Sequence, residues 1–252
     1  MNDITPAQTI NWKSVQDKHV GLVRAINEDA IISLPNQHLW AVADGMGGHE
    51  AGNIASDVVI KSLQNLKDHQ ILNEVVTSVW ECLLEANHQL LEYADKKLGG
   101  RTLGSTVVTL VIREKVGVCL WAGDSRLYCY RNSQLVQLSR DHSYVSERVK
   151  QGLITDEEAR NHPNSNVITR AIGGDVDLPV EIIKFDAQLG DIFLLCSDGL
   201  YNMVSNDEII YTLENNPIDK AVGALIQKAL DNGADDNVSV ILVQGEPGES
   251  SS

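Results

Sequence analysis

Short apolar segments of strand length recur along the chain, and most of them end at Gly, Asp or Ser. They are rich in Val, Ile, Leu and aromatic residues, as β-strands are, and they cover residues 38–43, 106–112, 116–122, 126–130, 192–196 and 238–243. Short links such as residues 131–134 join the middle segments, and links of this length predict antiparallel pairing. The pattern therefore predicts antiparallel sheets.

Two consecutive segments follow the 3.6-residue period of an amphipathic helix instead. In the first, one face collects Ala51, Ile54, Ala55, Val58, Val59, Ser62, Leu63 and Leu66. The second runs from Ile71 to about Lys97 and continues an apolar stripe. Because strand segments lie before and after this helix pair, we predict an α+β fold, a four-layer α-β-β-α sandwich with two central antiparallel sheets flanked by helices.

The length of 252 residues, with 43% apolar and 22% charged residues, fits a globular chain. We predict one domain over residues 1–244. Within it, residues 142–169 are polar and predict an inserted segment with a short helix near residues 145–151. The last residues, 245–252, contain mainly Gly, Pro, Glu and Ser and predict a disordered tail.

Charge and composition exclude several classes of protein. A net charge of −15 argues against a nucleic-acid partner, because such binding depends on Lys and Arg that neutralise phosphates. The four cysteines lie far apart in apolar runs, so we expect small buried side chains and no zinc site. We find no leader-like start and no apolar run of the ~18 residues that a membrane helix needs. We therefore expect a cytoplasmic chain without a membrane partner.

Acidic residues occupy the ends of the apolar strand segments. Asp44 follows LWAVA, Asp124 follows VCLWAG, Asp198 follows IFLLCS, and Asp236 precedes NVSVILV. Hard divalent cations such as Mg²⁺ and Mn²⁺ prefer carboxylate oxygens, and strand ends hold those oxygens rigidly. If these strand ends converge, they form a metal site.

A plainer interpretation applies to each Asp-Gly pair, because Asp-Gly is also the strongest signal for a hairpin turn. Asp44-Gly45 and Asp198-Gly199 nevertheless lie within longer strings, DGMGGH and CSDGL. The extra glycines exceed what a two-residue turn requires. They indicate that backbone approaches a ligand closely at Gly45, Gly47 and Gly48.

Seven short strings, taken together and in order, resemble those of the metal-dependent protein phosphatases of type 2C in their compact bacterial form. No single string is specific, but order, spacing and strand context together are. They are R-A-I-N-E-D at 24–29, D-G-M-G-G-H at 44–49, G-S-T at 104–106, A-G-D-S-R at 122–126, T-R-A-I-G at 169–173, S-D-G-L at 197–200 and D-N-V-S at 236–239. The resemblance implies a single phosphatase catalytic domain in which residues 142–169 form a flap.

The resemblance also implies a metal-ligand set for two Mn²⁺ or Mg²⁺ ions. Asp44 would bridge the two ions, the Gly45 carbonyl would bind one, and Asp198 and Asp236 would bind the other.

Three further acidic residues complete the implied set. Glu28 and Asp29 would act mostly through metal-bound waters. A third, weaker metal site of similar bacterial enzymes maps onto Asp124, with help from Asp198.

Two basic residues are candidates for catalysis. By resemblance, Arg24 is the phosphate-binding residue; from the residues alone, a pair with Glu28 is equally compatible. His49 is the nearest candidate for the acid that protonates the leaving alkoxide, although a polar residue at the start of the following helix is the alternative. Met46 stands where many eukaryotic members have a histidine, so the acid stays open.

The implied reaction is a two-metal hydrolysis of phosphoserine and phosphothreonine in proteins, in which a metal-activated water attacks phosphorus directly. The expected partners are phosphorylated proteins and a cognate Ser/Thr kinase in a bacterial signalling system, and the chain is expected to be a monomer. Alternatives are a dedicated regulatory phosphatase of one partner and a non-catalytic phosphoprotein binder. His142 and His162 receive no role, and Arg170 is expected to tie the inserted segment down.

Overall fold

The structure is a computed structural model that describes residues 9–47, 51–67, 69–160 and 162–248. The strands are β1 Ile10–His19, β2 Asp29–Leu34, β3 Leu39–Met46, β4 Gly104–Ser105, β5 Val107–Arg113, β6 Val116–Ala122, β7 Arg126–Arg131, β8 Gln134–Gln137, β9 Glu181–Asp186, β10 Ile192–Cys196 and β11 Val238–Pro247. The α-helices are α1 Ala51–Gln64, α2 Leu72–Leu98, α3 Tyr144–Lys150, α4 Asp156–Arg160, α5 Asp198–Tyr201, α6 Asn206–Asn215 and α7 Ile218–Asp231.

Within the described residues the long strands form two antiparallel sheets. One has the order β1-β11-β10-β7-β8, and the other has the order β2-β3-β5-β6-β9, with the short β4 paired to β3. Helices α1 and α2 pack on the outer face of the β3 sheet, and α6 and α7 pack on the outer face of the β10 sheet. The predicted four-layer α-β-β-α sandwich is confirmed.

The central strands are buried on both faces, which explains why they appear in the sequence as continuous apolar runs. In β3, Ala41 packs toward the helices while Trp40 and Val42 pack between the sheets. In β10, Leu194 faces the helices and Leu195 faces the opposite sheet. Each strand therefore contributes to two apolar layers at once.

The two predicted helices on the β3 sheet are confirmed, because their apolar stripes supply the residues that the sheet buries. Strands β1 and β2 and helices α6 and α7 were not predicted. β1 lies at a sheet edge and is only partly buried, so its sequence, INWKSVQDKH, lacks a continuous apolar run. Among the described residues, no helix has both the length and the apolar character needed to cross a membrane.

The disordered tail predicted from residue 245 is wrong for its first residues. Strand β11 extends to Pro247, and residues 245–247 pair with the first residues of β1, with Trp12 opposite Gly245 and Ile10 opposite Pro247. A strand more than two hundred residues away supplies the hydrogen-bonding partner, which tail composition alone does not reveal. Residues 249–252 lie outside the described part of the chain.

The inserted segment contains the predicted short helix, α3. Ser143 precedes the helix and caps it, because its hydroxyl accepts a hydrogen bond from the Ser146 amide at 3.2 Å. The segment leaves and returns at one place. The His142 amide donates to the Gly123 carbonyl at 2.9 Å, and the Thr169 amide donates to the His142 carbonyl at 2.7 Å. Both ends of the insertion are therefore attached next to Asp124.

Candidate metal and phosphate site

The acidic residues at the strand ends lie in one region of the fold. Asp29 and Asp44 are direct partners across β2 and β3. Burial raises the pKa of Asp44 well above its ordinary value, and the nearby charges of Asp29, Asp198, Asp124 and Asp236 raise it further. Among the described residues, no group of three or more Asp, Glu, His or Cys side chains is close enough, as it stands, to hold a metal ion. The carboxylates are neighbours without enclosing one common point.

Asp44 lies within β3, so the hairpin-turn interpretation of Asp44-Gly45 is excluded. Its amide donates to Thr106 Oγ1 at 3.1 Å, and its carbonyl accepts from the Ser105 hydroxyl at 3.0 Å and from the Thr106 amide at 2.8 Å. These contacts come from the G-S-T string. They fix the backbone that carries the central carboxylate.

Gly45 is required by packing between backbones. A Cβ atom at Gly45 would collide with the carbonyl of Gly52 in the first turn of α1. A Cβ atom at Gly52 would in turn collide with the Glu28 carboxylate and lie 2.9 Å from the Gly45 carbonyl oxygen. The two glycines therefore allow the Glu28 carboxylate and the Gly45 carbonyl to share one small space.

Asp29 is only 2% exposed, and burial raises its pKa to about 6. Its Oδ2 accepts a hydrogen bond from the Ser197 hydroxyl at 2.8 Å, whereas its Oδ1 has no hydrogen-bond partner among the described residues. Asp198 Oδ1 is also buried and also has no hydrogen-bond partner among the described residues. Burial also raises the pKa of Asp198 well above its ordinary value, and Asp124 and Asp236 add to the shift.

Asp124 follows β6 on the turn where the inserted segment is attached. It is nearly buried, which raises its pKa to about 6, and the charge of Asp141 adds to the increase. The Tyr201 hydroxyl donates to the Asp124 backbone carbonyl at 3.1 Å. Since Tyr201 ends the helix that Asp198 begins, this bond links the two acidic positions.

The residues present fit a divalent cation. Buried carboxylates are costly unless a cation or hydrogen bonds compensate them, and the described part of the site has two orphaned carboxylate oxygens. Its donor atoms are carboxylate and carbonyl oxygens, which suit Mg²⁺ and Mn²⁺.

Arg24 lies at the rim of the acidic cluster and is half-exposed. Its Nη2 donates to Asp236 Oδ2 at 2.7 Å, and the charge of Asp236 is the main reason that the pKa of Arg24 is raised. The ion pair is therefore with Asp236 and not with Glu28, the partner considered from the sequence.

Asn237, which was not singled out from the sequence, joins the Arg24 loop to the Asp236 turn. Its Oδ1 accepts from the Glu28 amide at 2.7 Å, and its Nδ2 donates to the carbonyls of Val20 at 2.8 Å and Ile26 at 3.1 Å. An asparagine amide can donate and accept at the same time. The signal that could have identified Asn237 from the sequence was its place in the D-N-V-S string.

His49 cannot be placed, because residues 48–50 lie outside the described part of the chain. His162 lies apart from the acidic cluster, where its Nδ1 accepts a hydrogen bond from the Asn164 amide at 3.0 Å.

His142 has a structural function that the sequence did not reveal. Its ring is buried and stacked on Trp121, its Nδ1 accepts from the Gly123 amide at 3.2 Å, and its Nε2 lies 3.2 Å from Glu181 Oε1. Burial lowers the pKa of His142, which favours the neutral ring that this acceptor role requires. Arg170 also donates to Glu181, at 2.7 Å, so it holds the segment end as predicted.

A cleft of about 1100 Å³ opens between the inserted segment and helices α5 and α6, and both Asp124 and Asp198 line it. Arg126 lies in its wall, donating three hydrogen bonds to the Asp141 carboxylate at 2.7, 3.0 and 3.2 Å and stacking over the Tyr201 ring at 3.4 Å. Arg126 belongs to the A-G-D-S-R string, but no role was predicted for it. The cleft leads from the acidic cluster along the inserted segment.

The family model described as Protein phosphatase 2C matches residues 22–239. A serine/threonine phosphatase, Stp, of Listeria monocytogenes is 35% identical over 232 residues, which cover 89% of this chain and 92% of the relative.

Two solved structures also resemble the chain. PppA, a key regulatory component of T6SS in Pseudomonas aeruginosa, has a TM-score of 0.87 and 36% identity, covering 95% of this chain and 100% of the other. The catalytic domain of the phosphatase PstP, in complex with two manganese ions, has a TM-score of 0.82 and 30% identity, covering 94% and 100%.

Fold and acidic cluster together define a class, the phosphoprotein phosphatases with a metal-dependent site. The chain belongs to the protein phosphatase 2C family. The family resemblance and the enzyme class predicted from the seven strings are confirmed.

Proposed function

We propose that this chain hydrolyses phosphoserine and phosphothreonine in proteins, with two Mn²⁺ or Mg²⁺ ions held by the acidic cluster. The observation that carries the proposal is the group of buried carboxylates around Asp44, in which Asp29 is its direct cross-strand partner and Asp29 Oδ1 and Asp198 Oδ1 have no hydrogen-bond partner among the described residues. The manganese-bound relative supports the metal identity. When bound, the ions supply an activated water and neutralise phosphate charge.

The proposed ligand set follows the family strings. Asp44 would be shared by both ions, the Gly45 carbonyl would bind one, and Asp198 and Asp236 would bind the other. The side chains would have to rotate to make these contacts, since the described carboxylates do not meet at one point.

Additional acidic residues lie around this core. Glu28 and Asp29 would act mostly through waters, and the Ser197 hydroxyl orients Asp29. Asp124, with Asp198, would hold a third, weaker ion.

Arg24 binds the phosphoryl oxygens of the substrate. Its rim position and exposure leave it accessible, and the bond to Asp236 uses Nη2 only. A guanidinium carries five N–H donors, so the remaining donors can bind phosphate while the ion pair persists. His49 is retained as the acid that protonates the leaving serine or threonine oxygen.

Residues 142–169 act as the flap that selects protein substrates, within a single catalytic domain. The cleft beside this segment supports the proposal, because it is lined both by Asp198 and by residues of the segment, so a polypeptide bound in it would contact both. The reaction reverses that of a Ser/Thr kinase, so a cognate kinase, a cytoplasmic signalling role and a monomeric enzyme belong to the same proposal.

A dedicated regulatory phosphatase is the second candidate. It is favoured by the likeness to PppA, which is described as a regulatory component of T6SS. A dedicated enzyme would dephosphorylate one protein in a phosphorylated lysate, whereas a general enzyme would dephosphorylate many.

Phosphate release from phosphoserine and phosphothreonine peptides tests the proposal. We expect no release in excess chelator, recovery with Mn²⁺ or Mg²⁺, and poor recovery with Zn²⁺, which prefers nitrogen and sulfur ligands. Asp198→Asn should reduce turnover by a factor on the order of 10² or more, while the control Asp231→Asn, on α7, should not. Peptide binding without release would identify a non-catalytic binder and overturn the proposal.

A further inference from the structure

Residues 22–26, Leu-Val-Arg-Ala-Ile, form an exposed apolar run interrupted only by Arg24. Leu22 is 61% exposed, Val23 72% and Ile26 43%, and Ala25 is also exposed. Single exposed apolar side chains are ordinary, whereas exposed apolar side chains grouped at one place mark candidate binding surfaces. We name Leu22, Val23 and Ile26 the apolar shelf.

The shelf is held firmly, so its exposure does not come from a loose loop. Gly21 has a φ of +81°, and a Cβ atom there would collide with the Asp236 carbonyl. The Leu22 amide donates to the Ala234 carbonyl at 2.8 Å. Asn237 binds the carbonyl of Val20, just before the run, and that of Ile26, its last residue. The backbone of the shelf is therefore fixed to the Asp236 turn.

Arg24 lies within the shelf in the chain. Val23 is its direct neighbour, and Leu22 and Ile26 are two residues away on either side, while consecutive Cα atoms are about 3.8 Å apart. The guanidinium of Arg24 is held at the acidic cluster by Asp236 at 2.7 Å. The backbone of the shelf is held to the same turn, since Leu22 binds Ala234 and Asn237 binds Ile26. A phosphorylated residue bound to Arg24 would therefore have its chain neighbours near the shelf.

The charge of the chain disfavours acidic neighbours, and the apolar shelf favours aliphatic ones. Acidic residues are disfavoured beside the acidic cluster, since the chain carries a net charge of −15. Aliphatic side chains carry no such penalty and lose apolar surface to water when they contact the shelf. A second copy of this chain fits less well, because a stable dimer buries about 800 Å² per partner and three side chains provide far less.

We propose that Leu22, Val23 and Ile26 determine substrate specificity by binding an aliphatic side chain within two positions of the phosphorylated residue. This inference rests on the proposed function, because it takes Arg24 as the phosphate-binding residue. It concerns the peptide around the phosphate and is separate from the flap.

The test compares two phosphothreonine peptides that differ only near the phosphate, one with Leu and Val beside it and one with Gly and Ser. For the wild type we expect kcat/KM to be about tenfold higher for the aliphatic peptide, mainly through a lower KM. The double variant Leu22→Gln, Val23→Thr should reduce that ratio to nearly one.

Val176→Thr is the matched control. Val176 is 70% exposed, as Val23 is, but its loop is held against α2 by the bond from Asn87 to the Asp175 carbonyl at 2.9 Å. This variant should keep the tenfold ratio. A ratio near one in the wild type, or an unchanged ratio in the double variant, would overturn the proposal that the apolar shelf selects the peptide.

Two further measurements separate the causes of failure. Aryl-phosphate hydrolysis by the wild type with Mn²⁺ tests the proposed function itself. If the wild type does not hydrolyse aryl phosphate, both proposals are overturned. If it does but shows no preference between the peptides, only the proposal about the apolar shelf is overturned. Sedimentation of the wild type and the double variant tests whether a second copy of this chain binds the apolar shelf instead. A dimer that the double variant abolishes would make the shelf an interface between copies and contradict our inference.

Discussion

Asp29 and Asp44 lie directly opposite each other on β2 and β3, two carboxylates of the same charge in one register pair. Like charges in such a pair destabilise a sheet, and burial raises the pKa of both side chains. The fold therefore places two carboxylates together at a position where stability alone would disfavour them. A bound divalent cation would turn this repulsion into attraction.

The first prediction concerns Asp124 and pH. Its folded pKa of about 6 lies above the ordinary value of 3.8, so the folded chain holds the proton more tightly, and stability is lost as pH rises from about 4 through 6. In chelator, the melting-temperature advantage of Asp124→Asn over the wild type should be about 2–4 °C larger at pH 7.5 than at pH 5, or roughly 1 kcal/mol for a domain of this size. A melting-temperature difference that is the same at both pH values would contradict a raised pKa of Asp124 in the folded chain.

The second prediction concerns His142. Its folded pKa is lowered, so the unfolded chain takes up the proton first, and the contribution of the neutral ring is lost as pH falls below about 6.5. His142→Phe keeps an aromatic ring beside Trp121 but leaves the Gly123 amide without its acceptor. We expect a loss of about 1–3 kcal/mol at pH 8 and a smaller loss at pH 5, measured by urea unfolding. Equal losses at both pH values would show that packing alone matters.

The third prediction concerns Arg24. If it binds the phosphoryl group equally in the ground state and the transition state, Arg24→Ala should raise KM for aryl phosphate with little change in kcat. Arg24→Lys should recover only part of the loss, because an ammonium cannot form the paired hydrogen bonds of a guanidinium. Steady-state kinetics of both variants gives the comparison. Wild-type values for Arg24→Ala would restore a purely structural ion pair with Asp236.

The fourth prediction concerns the third ion. Asp124→Ala should lose one weakly bound Mn²⁺ and reduce turnover, while two ions remain bound. Equilibrium dialysis gives the stoichiometry. If the variant binds as many ions as the wild type and is as active, Asp124 is not a metal ligand.

Much of the architecture was predictable because its central strands are buried on two faces. β6 and β10 combine apolar runs with clear ends, and both were placed at their observed bounds. Edge strand β1 and the last residues of β11 were missed because each depends on its distant partner. A pairing between chain ends leaves no local pattern.

The acidic residues were predictable because each stands beside an apolar run, but their supporting residues were not. Asn237 and His142 act through hydrogen bonds to backbone groups of other segments. Such contacts depend on the folded arrangement and not on sequence spacing. The Arg24–Asp236 pair was missed for the same reason, since 212 positions separate the two residues.

Calorimetric titration with Mn²⁺ tests the central claim, that Asp44 is shared by two ions, most directly. The metal-free wild type should bind at least two ions, and Asp44→Asn should weaken both together, because one carboxylate contacts both. Asp231→Asn is the control and should bind as the wild type does. If Asp44→Asn bound two ions with wild-type affinity, Asp44 would not be the shared ligand and the account of the site would be wrong.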